Sequence, residues 1–294
     1  VKENSTPEKE HFGISAPCLL LGNPGLAKTV MCDVLGGLCG GSAERIQGSP
    51  EIEPGDILGK TVMFGEGLPE EFRPGPIFAN HVLVDEFNRV SEKTQAALIE
   101  PLAEGRVTAN MSIGKGTFKK RTFDLPRPFF FAATQNPLDH RGVFTITEAL
   151  LDRIAMQINV GGLTIKEVIG VVQKKKVYAE EPVRQVIGAE DILACQNFIA
   201  RQVEVAVPII RYAAILTKLV LPYSDLLDAD RETDKLFNEA KQKVHNTPLV
   251  IGKEERKLED VVAVTGYTRG AQVIISLAQT QAFLQGRRYV LPED

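Results

Sequence analysis

Gly22-Asn23-Pro24-Gly25-Leu26-Ala27-Lys28-Thr29 gathers two glycines, a lysine and a hydroxyl into eight residues, a set suited to holding phosphate. The glycines allow a tight backbone path that turns successive N–H groups inward, and a helix starting at its end adds partial positive charge. Lys28 is then placed to contact the β- and γ-phosphates of a nucleotide and Thr29 to ligate Mg²⁺, with the run from Gly22 to Val30 forming the cradle. The bland alternative is a glycine turn capping a helix, with a solvated lysine.

A second set is acidic. His81-Val82-Leu83-Val84-Asp85-Glu86 is an apolar strand ending in adjacent carboxylates, which is costly unless a cation or a water needs them. Asp85 is placed to hold Mg²⁺ through water and Glu86 to polarise an attacking water. Acids simply leaving a sheet into solvent would read the same way.

Three further residues join them. Phe129–Thr134 is another apolar run, delivering Gln135-Asn136-Pro137 to the same sheet edge, where the Asn136 amide can orient water without adding charge. Pro137 also permits an ordinary turn there. Arg153, after Glu148-Ala149-Leu150-Leu151-Asp152, can reach a neighbouring subunit's γ-phosphate, as trans arginines do in phosphoryl transfer. A helix-end arginine paired with Asp152 or Glu148 is the simpler account. Arg269, after Gly266-Tyr267-Thr268, opens the last long helix, where a cation opposes the macrodipole unless an anion lies beside it. It is a nucleotide-phosphate candidate or a plain surface arginine.

These residues need a scaffold that brings strand ends to one edge. Cys18–Leu21, Arg45–Gln47, Val82–Val84, Phe129–Ala133 and Met156–Val160 read as strands alternating with helical patterns, which predicts a parallel sheet covered by helices. Their nearly continuous apolarity suits a sheet buried on both faces. Past Thr164 helical spacing dominates, over Ile165–Lys176, Ala189–Gln202, Pro208–Leu221 and Arg269–Leu284. The expected fold class is therefore α/β, a three-layer P-loop domain over residues 1–162 and an all-helical lid over 163–294, hinged at Gly161-Gly162. Pro222–Glu259, dense in charge, reads as a surface insertion.

Composition bounds the function. At 294 residues, 44% apolar and 24% charged, the chain can bury a sizeable core. A formal charge of −4 gives no bulk pull toward nucleic acid or anionic lipid. Cys18, Cys32, Cys39 and Cys195 lack zinc-site spacing and fit a reducing cytoplasm. Val203–Leu221 is apolar, but Glu204, Arg211 and Lys218 recur every seven residues along it, as on a helix with one wet stripe rather than a membrane span. Val1–His11 has no apolar signal core, and the missing initiator Met suggests a trimmed start.

The order of these elements resembles the MoxR family of AAA+ ATPases. The resemblance is carried by Phe72-Arg73-Pro74-Gly75-Pro76-Ile77-Phe78-Ala79-Asn80, by Asp85-Glu86-Phe87-Asn88-Arg89 with Lys93-Thr94-Gln95-Ala96-Ala97-Leu98, by Ala133-Thr134-Gln135-Asn136-Pro137, and by the closing Arg287–Asp294. It runs from about Cys18 to Asp294 and implies Walker A at Gly22–Thr29 and Walker B at Asp85 and Glu86. It also implies sensor 1 at Asn136, an arginine finger at Arg153 and sensor 2 at Arg269. Ala27 stands where the general pattern has Gly, as it does within this family. The resemblance implies a homo-oligomeric ring, commonly a hexamer, that hydrolyses ATP with Mg²⁺ at subunit interfaces. It further implies a protein client and a von Willebrand factor A partner.

Two expectations concern local structure. Pro101 should kink the helix that follows Walker B. Gly105–Phe123 should form a hairpin, its basic run Lys115, Lys119, Lys120 and Arg121 solvated. The rival reading from another class is a non-hydrolysing, nucleotide-gated scaffold. A P-loop small-molecule kinase has no need of the Asn136, Arg153 and Arg269 series.

Overall fold

A computed structural model describes residues 16–23, 25–63, 70–112, 117–137, 142–174, 183–219, 249–251, 254–256 and 267–294. The first unit contains strands β1 (Cys18–Leu21), β2 (Ala43–Gln47), β3 (Gly59–Met63), β4 (Glu70–Pro74), β5 (His81–Asp85), β6 (Arg106–Ser112), β7 (Phe118–Asp124), β8 (Phe130–Gln135) and β9 (Met156–Asn159). Its helices are α1 (Lys28–Cys39), α2 (Pro54–Leu58), α3 (Glu92–Ala97), α4 (Ile99–Glu104), α5 (Glu148–Leu151) and α6 (Ile165–Lys174). After α7 (Ala189–Gln202) come α8 (Val207–Leu219), a short ribbon of β10 (Leu249–Ile251) and β11 (Glu254–Arg256), and α9 (Tyr267–Leu284).

The five strands read from the sequence form one parallel sheet in the order β2-β5-β8-β1-β9. Continuous apolarity holds for the three central strands only. β2, at one edge, buries Ile46 alone of its five residues, and β9, at the other, is largely exposed. An edge strand needs only part of its surface apolar, so both were legible only through their flanks.

Side chains alternate across the sheet. Leu19, Val82, Val84, Phe131 and Ala133 enter the larger core with Ile57, Ile77, Phe87, Leu98, Leu102, Leu150 and Ile154. Cys18, Leu20, Leu83 and Ala132 face the other way, toward Cys32 of α1. At about 1.5–3 kcal/mol for each large buried side chain, the first face is the main stabilising layer.

The Pro101 expectation is met by a break. Proline removes a backbone donor and its ring opposes the carbonyl four residues back, here Ala97. Accordingly α3 ends at Ala97, Leu98 N–H bonds Gln95 at 3.1 Å, and α4 restarts at Ile99. Pro101 itself is buried. Ser91 caps α3 through the Thr94 N–H.

β6 and β7 form the expected antiparallel hairpin, with Val107 and Met111 buried and Lys119, Lys120 and Arg121 exposed. Lys115 lies outside the described residues. A second ribbon, β3–β4, has no counterpart in the sequence reading. Phe72 of β4 stacks on Phe123 of β7 at 4.3 Å between ring centroids, which joins the two ribbons.

The chain divides into two compact units, 15–196 and, through the C-terminus, 197–294. The sequence reading divides at 162, where strands give way to helices. Compactness carries the first unit further because Val186 and Ile187 donate their N–H groups to Leu38 of α1, at 2.9 and 3.1 Å. The second unit is helical, as expected, and carries one short ribbon, β10–β11. Its core joins Val203, Ala278, Ala282 and Val290. Gly286, at φ 75°, ends α9, with Arg287 N–H on Ala282 O at 2.9 Å. Most of Pro222–Glu259 lies outside the described residues. Among the described residues, no helix is long and apolar enough to cross a membrane.

Candidate functional site

β1 and β8 deliver two loops side by side. Gly22 N–H donates to Gln135 O at 3.1 Å, so the glycine loop starts one residue from Asn136. A Cβ at Gly22 would lie 2.8 Å from Val160 O, which is why glycine is required there. Gly25 has φ 81° and Ala27 φ 56°, both left-handed. Ala27 is the N-cap of α1 and makes no side-chain cap bond, so the first amides of α1 face the loop without a competing side chain. The Lys28 ammonium sits within the loop, donating to Gly22 O at 2.7 Å and Asn23 O at 2.8 Å. Val30, one residue past the hydroxyl, is 57% exposed on α1. Pro24 lies outside the described residues.

Thr29 and Asp85, 56 residues apart, meet in a hydrogen bond from Thr29 Oγ1 to Asp85 Oδ2 at 2.9 Å. Thr134 Oγ1 donates to Asp85 Oδ1, and Arg45 Nη2 donates to Oδ2 at 2.7 Å. Burial raises the Asp85 pKa, but the bonds from Thr134, Thr29 and Arg45 together outweigh it and hold the carboxyl below its ordinary range. Asp85 is therefore an anion, with hard oxygens and a hydroxyl grouped beside the lysine loop.

Glu86 has a left-handed backbone, φ 52° and ψ 49°, and its N–H is held by Thr134 Oγ1 at 3.0 Å. Its carboxylate pairs with Arg89 Nε at 2.8 Å, both side chains part exposed. Gly48, after β2, closes this corner: its N–H donates to Asp85 O at 2.6 Å, and a Cβ there would come within 2.3 Å of Glu86 O.

The structure thus brings Lys28, Thr29, Asp85, Glu86 and Asn136 to one end of the sheet. Arg153 follows α5 and donates from Nη1 to Ala149 O at 2.8 Å and to Asp152 at 3.1 Å, the helix-end pairing weighed above. Arg269 lies in the first turn of α9, in the second unit.

Two site residues went unread. Thr134 is the one polar residue among Phe130–Thr134 of β8, and a buried hydroxyl at the level of an acid was the available signal. Arg45 pairs in register with Leu83, so on the pleat it shares a face with Asp85 two residues on.

Residues 17–156 match the family model described as ATPase family associated with various cellular activities (AAA), and residues 260–294 match an AAA lid domain. The chain is 31% identical over 273 residues to an uncharacterised protein, YeaC, of Bacillus subtilis, covering 92% of this chain and 71% of that protein. It is 32% identical over 278 residues to Chaperone MoxR1 of Mycobacterium tuberculosis, covering 94% of this chain and 63% of that one. A crystal structure of a proposed ATPase from Cytophaga hutchinsonii aligns with TM-score 0.69 at 27% identity, over 96% of this chain and 74% of that chain.

Proposed function

Because the chain belongs to the MoxR family of AAA+ ATPases, we propose that it hydrolyses ATP to ADP and phosphate at the interfaces of a homo-oligomeric ring, in order to remodel or mature client proteins. The observation that supports this most is the Thr29–Asp85 hydrogen bond at 2.9 Å, formed beside a loop that encloses Lys28. A hydroxyl, a carboxylate and an ammonium at one sheet edge suit a triphosphate with its metal.

Lys28 neutralises phosphate charge, and Arg269 takes the phosphate-contacting role that membership of the family implies for it, in its own protomer or a neighbouring one. Thr29 and Asp85 would hold Mg²⁺, whose bound charge offsets that of the phosphate oxygens. Glu86 accepts the proton of the attacking water and Asn136 orients it. Arg153 completes the site of the adjacent protomer, where a trans cation counters charge building in the transition state. The working division is a nucleotide core over 1–162 and a lid over 163–294, in a ring of six, with a von Willebrand factor A protein as partner.

Phosphate release by wild type and a Glu86→Gln variant tests the reading. The variant should keep nucleotide binding and lose at least about 100-fold in turnover. Unchanged turnover would remove Glu86 from the chemistry. Mixing Arg153→Ala into wild type should lower activity more than in proportion if sites are shared; strict proportionality would mean self-contained sites. One observation favours the second reading, a nucleotide-gated scaffold: Glu86 is already paired with Arg89. Nucleotide-dependent assembly with no phosphate release would decide for it.

A further inference from the structure

Asp85 carries more cationic and hydroxyl donors than its proposed task requires. A carboxylate oxygen has two lone pairs. On Oδ2 both are engaged, one by Thr29 Oγ1 at 2.9 Å and one by Arg45 Nη2 at 2.7 Å, while Oδ1 takes Thr134. The oxygen nearest Thr29 is therefore full. Oδ1 keeps one lone pair, but the oxygen on the Thr29 side, which a divalent cation shared with that hydroxyl would use, has none to spare.

Of the two donors on Oδ2, only Arg45 can leave without dismantling the site. Its side chain is 52% exposed on the edge strand β2, whereas that of Asp85 is 15% exposed. The Thr29 hydroxyl donates its proton to Asp85 yet keeps lone pairs for a metal, so its bond need not break. The guanidinium has no such second use: it is a fixed positive charge, repelled by a second cation at the same oxygen.

We propose that Arg45 is a built-in competitor of the metal: it holds the Asp85 carboxylate in place beside Thr29 and must release Oδ2 when a divalent cation binds. The proposal rests on the reading of Thr29 and Asp85 as metal-holding residues. It makes Arg45 a positioning residue that acts through Asp85, and it gives the edge strand a response to metal arrival.

The test titrates Mn²⁺ into the full chain loaded with a non-hydrolysable ATP analogue and follows the loss of the free-ion paramagnetic resonance signal. Arg45→Gln should tighten Mn²⁺ binding by about tenfold, since a like charge is removed from the ligand. Arg45→Lys should stay near wild type. A purely structural role predicts the opposite sign, because an unheld carboxylate would bind metal less well, so unchanged or weaker Mn²⁺ binding in Arg45→Gln overturns the proposal. Arg45→Met, which keeps an unbranched stem, supplies the same comparison if a thermal melt shows the Gln variant unfolded. Asp85→Asn separates the two ideas: Mn²⁺ binding unaffected by that change would sink the metal-site reading itself, and the competition with it.

Discussion

The loop after β1 and the edge after β5 are joined by the Thr29–Asp85 bond, yet they hold their shapes by different means. The loop is a backbone construction, with glycines at 22 and 25 and a lysine bonded to main-chain oxygens. The edge is a side-chain construction, with Asp85 fixed by three donors. Each holds one of the two left-handed non-glycine residues among the described ones, Ala27 and Glu86. Such a conformation costs about 1–2 kcal/mol for a residue with a Cβ. At Ala27 the methyl carries no polar group and makes no cap bond. At Glu86 a carboxylate is carried in return, and strain of this kind gathers at functional positions. Two similar φ values thus mean different things, and substitution by glycine distinguishes them.

The largest effect should come from the edge. Glu86→Gly and Glu86→Gln should both lose at least about 100-fold in phosphate release. They should part in thermal melts, the glycine variant being the more stable by about 1 kcal/mol because it relieves the left-handed strain. Equal melting temperatures would show that the backbone at 86 is unstrained.

Next is the corner that locks the edge. Gly48→Ala puts a Cβ against the Asp85 and Glu86 carbonyls, which are backbone and cannot rotate away. A loss of about 2–3 kcal/mol in denaturant unfolding is expected. A loss under about 0.5 kcal/mol would mean that β2 shifts freely past β5.

The acid side of the stability profile tests the side-chain construction. Asp85 has a lowered pKa in the folded chain, so its bonds stabilise above the unfolded carboxylate pKa of about 3.9. That contribution is lost as pH falls through the lower folded value. Wild type should therefore lose stability more steeply than Asp85→Asn on acidification below about pH 4. Parallel profiles would show the bonds to be worth no more to the carboxylate than to its amide.

How much of this was legible follows the same division. The loop could be read from Gly22 to Thr29 because backbone geometry restricts residue type: only glycine fits against Val160 O, and φ 81° at Gly25 admits little else. Asp85 and Glu86 were legible as acids ending an apolar strand. Their holders were not. Arg45 lies on an edge strand with only Ile46 buried, and its reach to Asp85 depends on the register of β2 against β5, which no local pattern encodes. The helix break was readable at Pro101, but its position at Leu98 follows from the ring acting four residues back. The β3–β4 ribbon escaped because its apolar Phe72 finds its partner in Phe123, a contact made by the fold.

The smallest effect tests the other half of the comparison. Ala27 sits at φ 56° and ψ 24°, where glycine has no Cβ to clash. Ala27→Gly should relieve about 1–2 kcal/mol of strain and cost about 0.5–1 kcal/mol in unfolded-chain entropy, a net gain between about 0 and 1.5 kcal/mol, centred near 0.75. In a unit of this size the central value raises the melting temperature by about 1–4 °C. Nucleotide affinity should stay within about threefold, because the amides that line the loop are unchanged. If the variant melts lower and binds nucleotide more weakly, the methyl group at 27 has a task, stiffening the loop around Lys28, and the contrast between the two left-handed residues disappears.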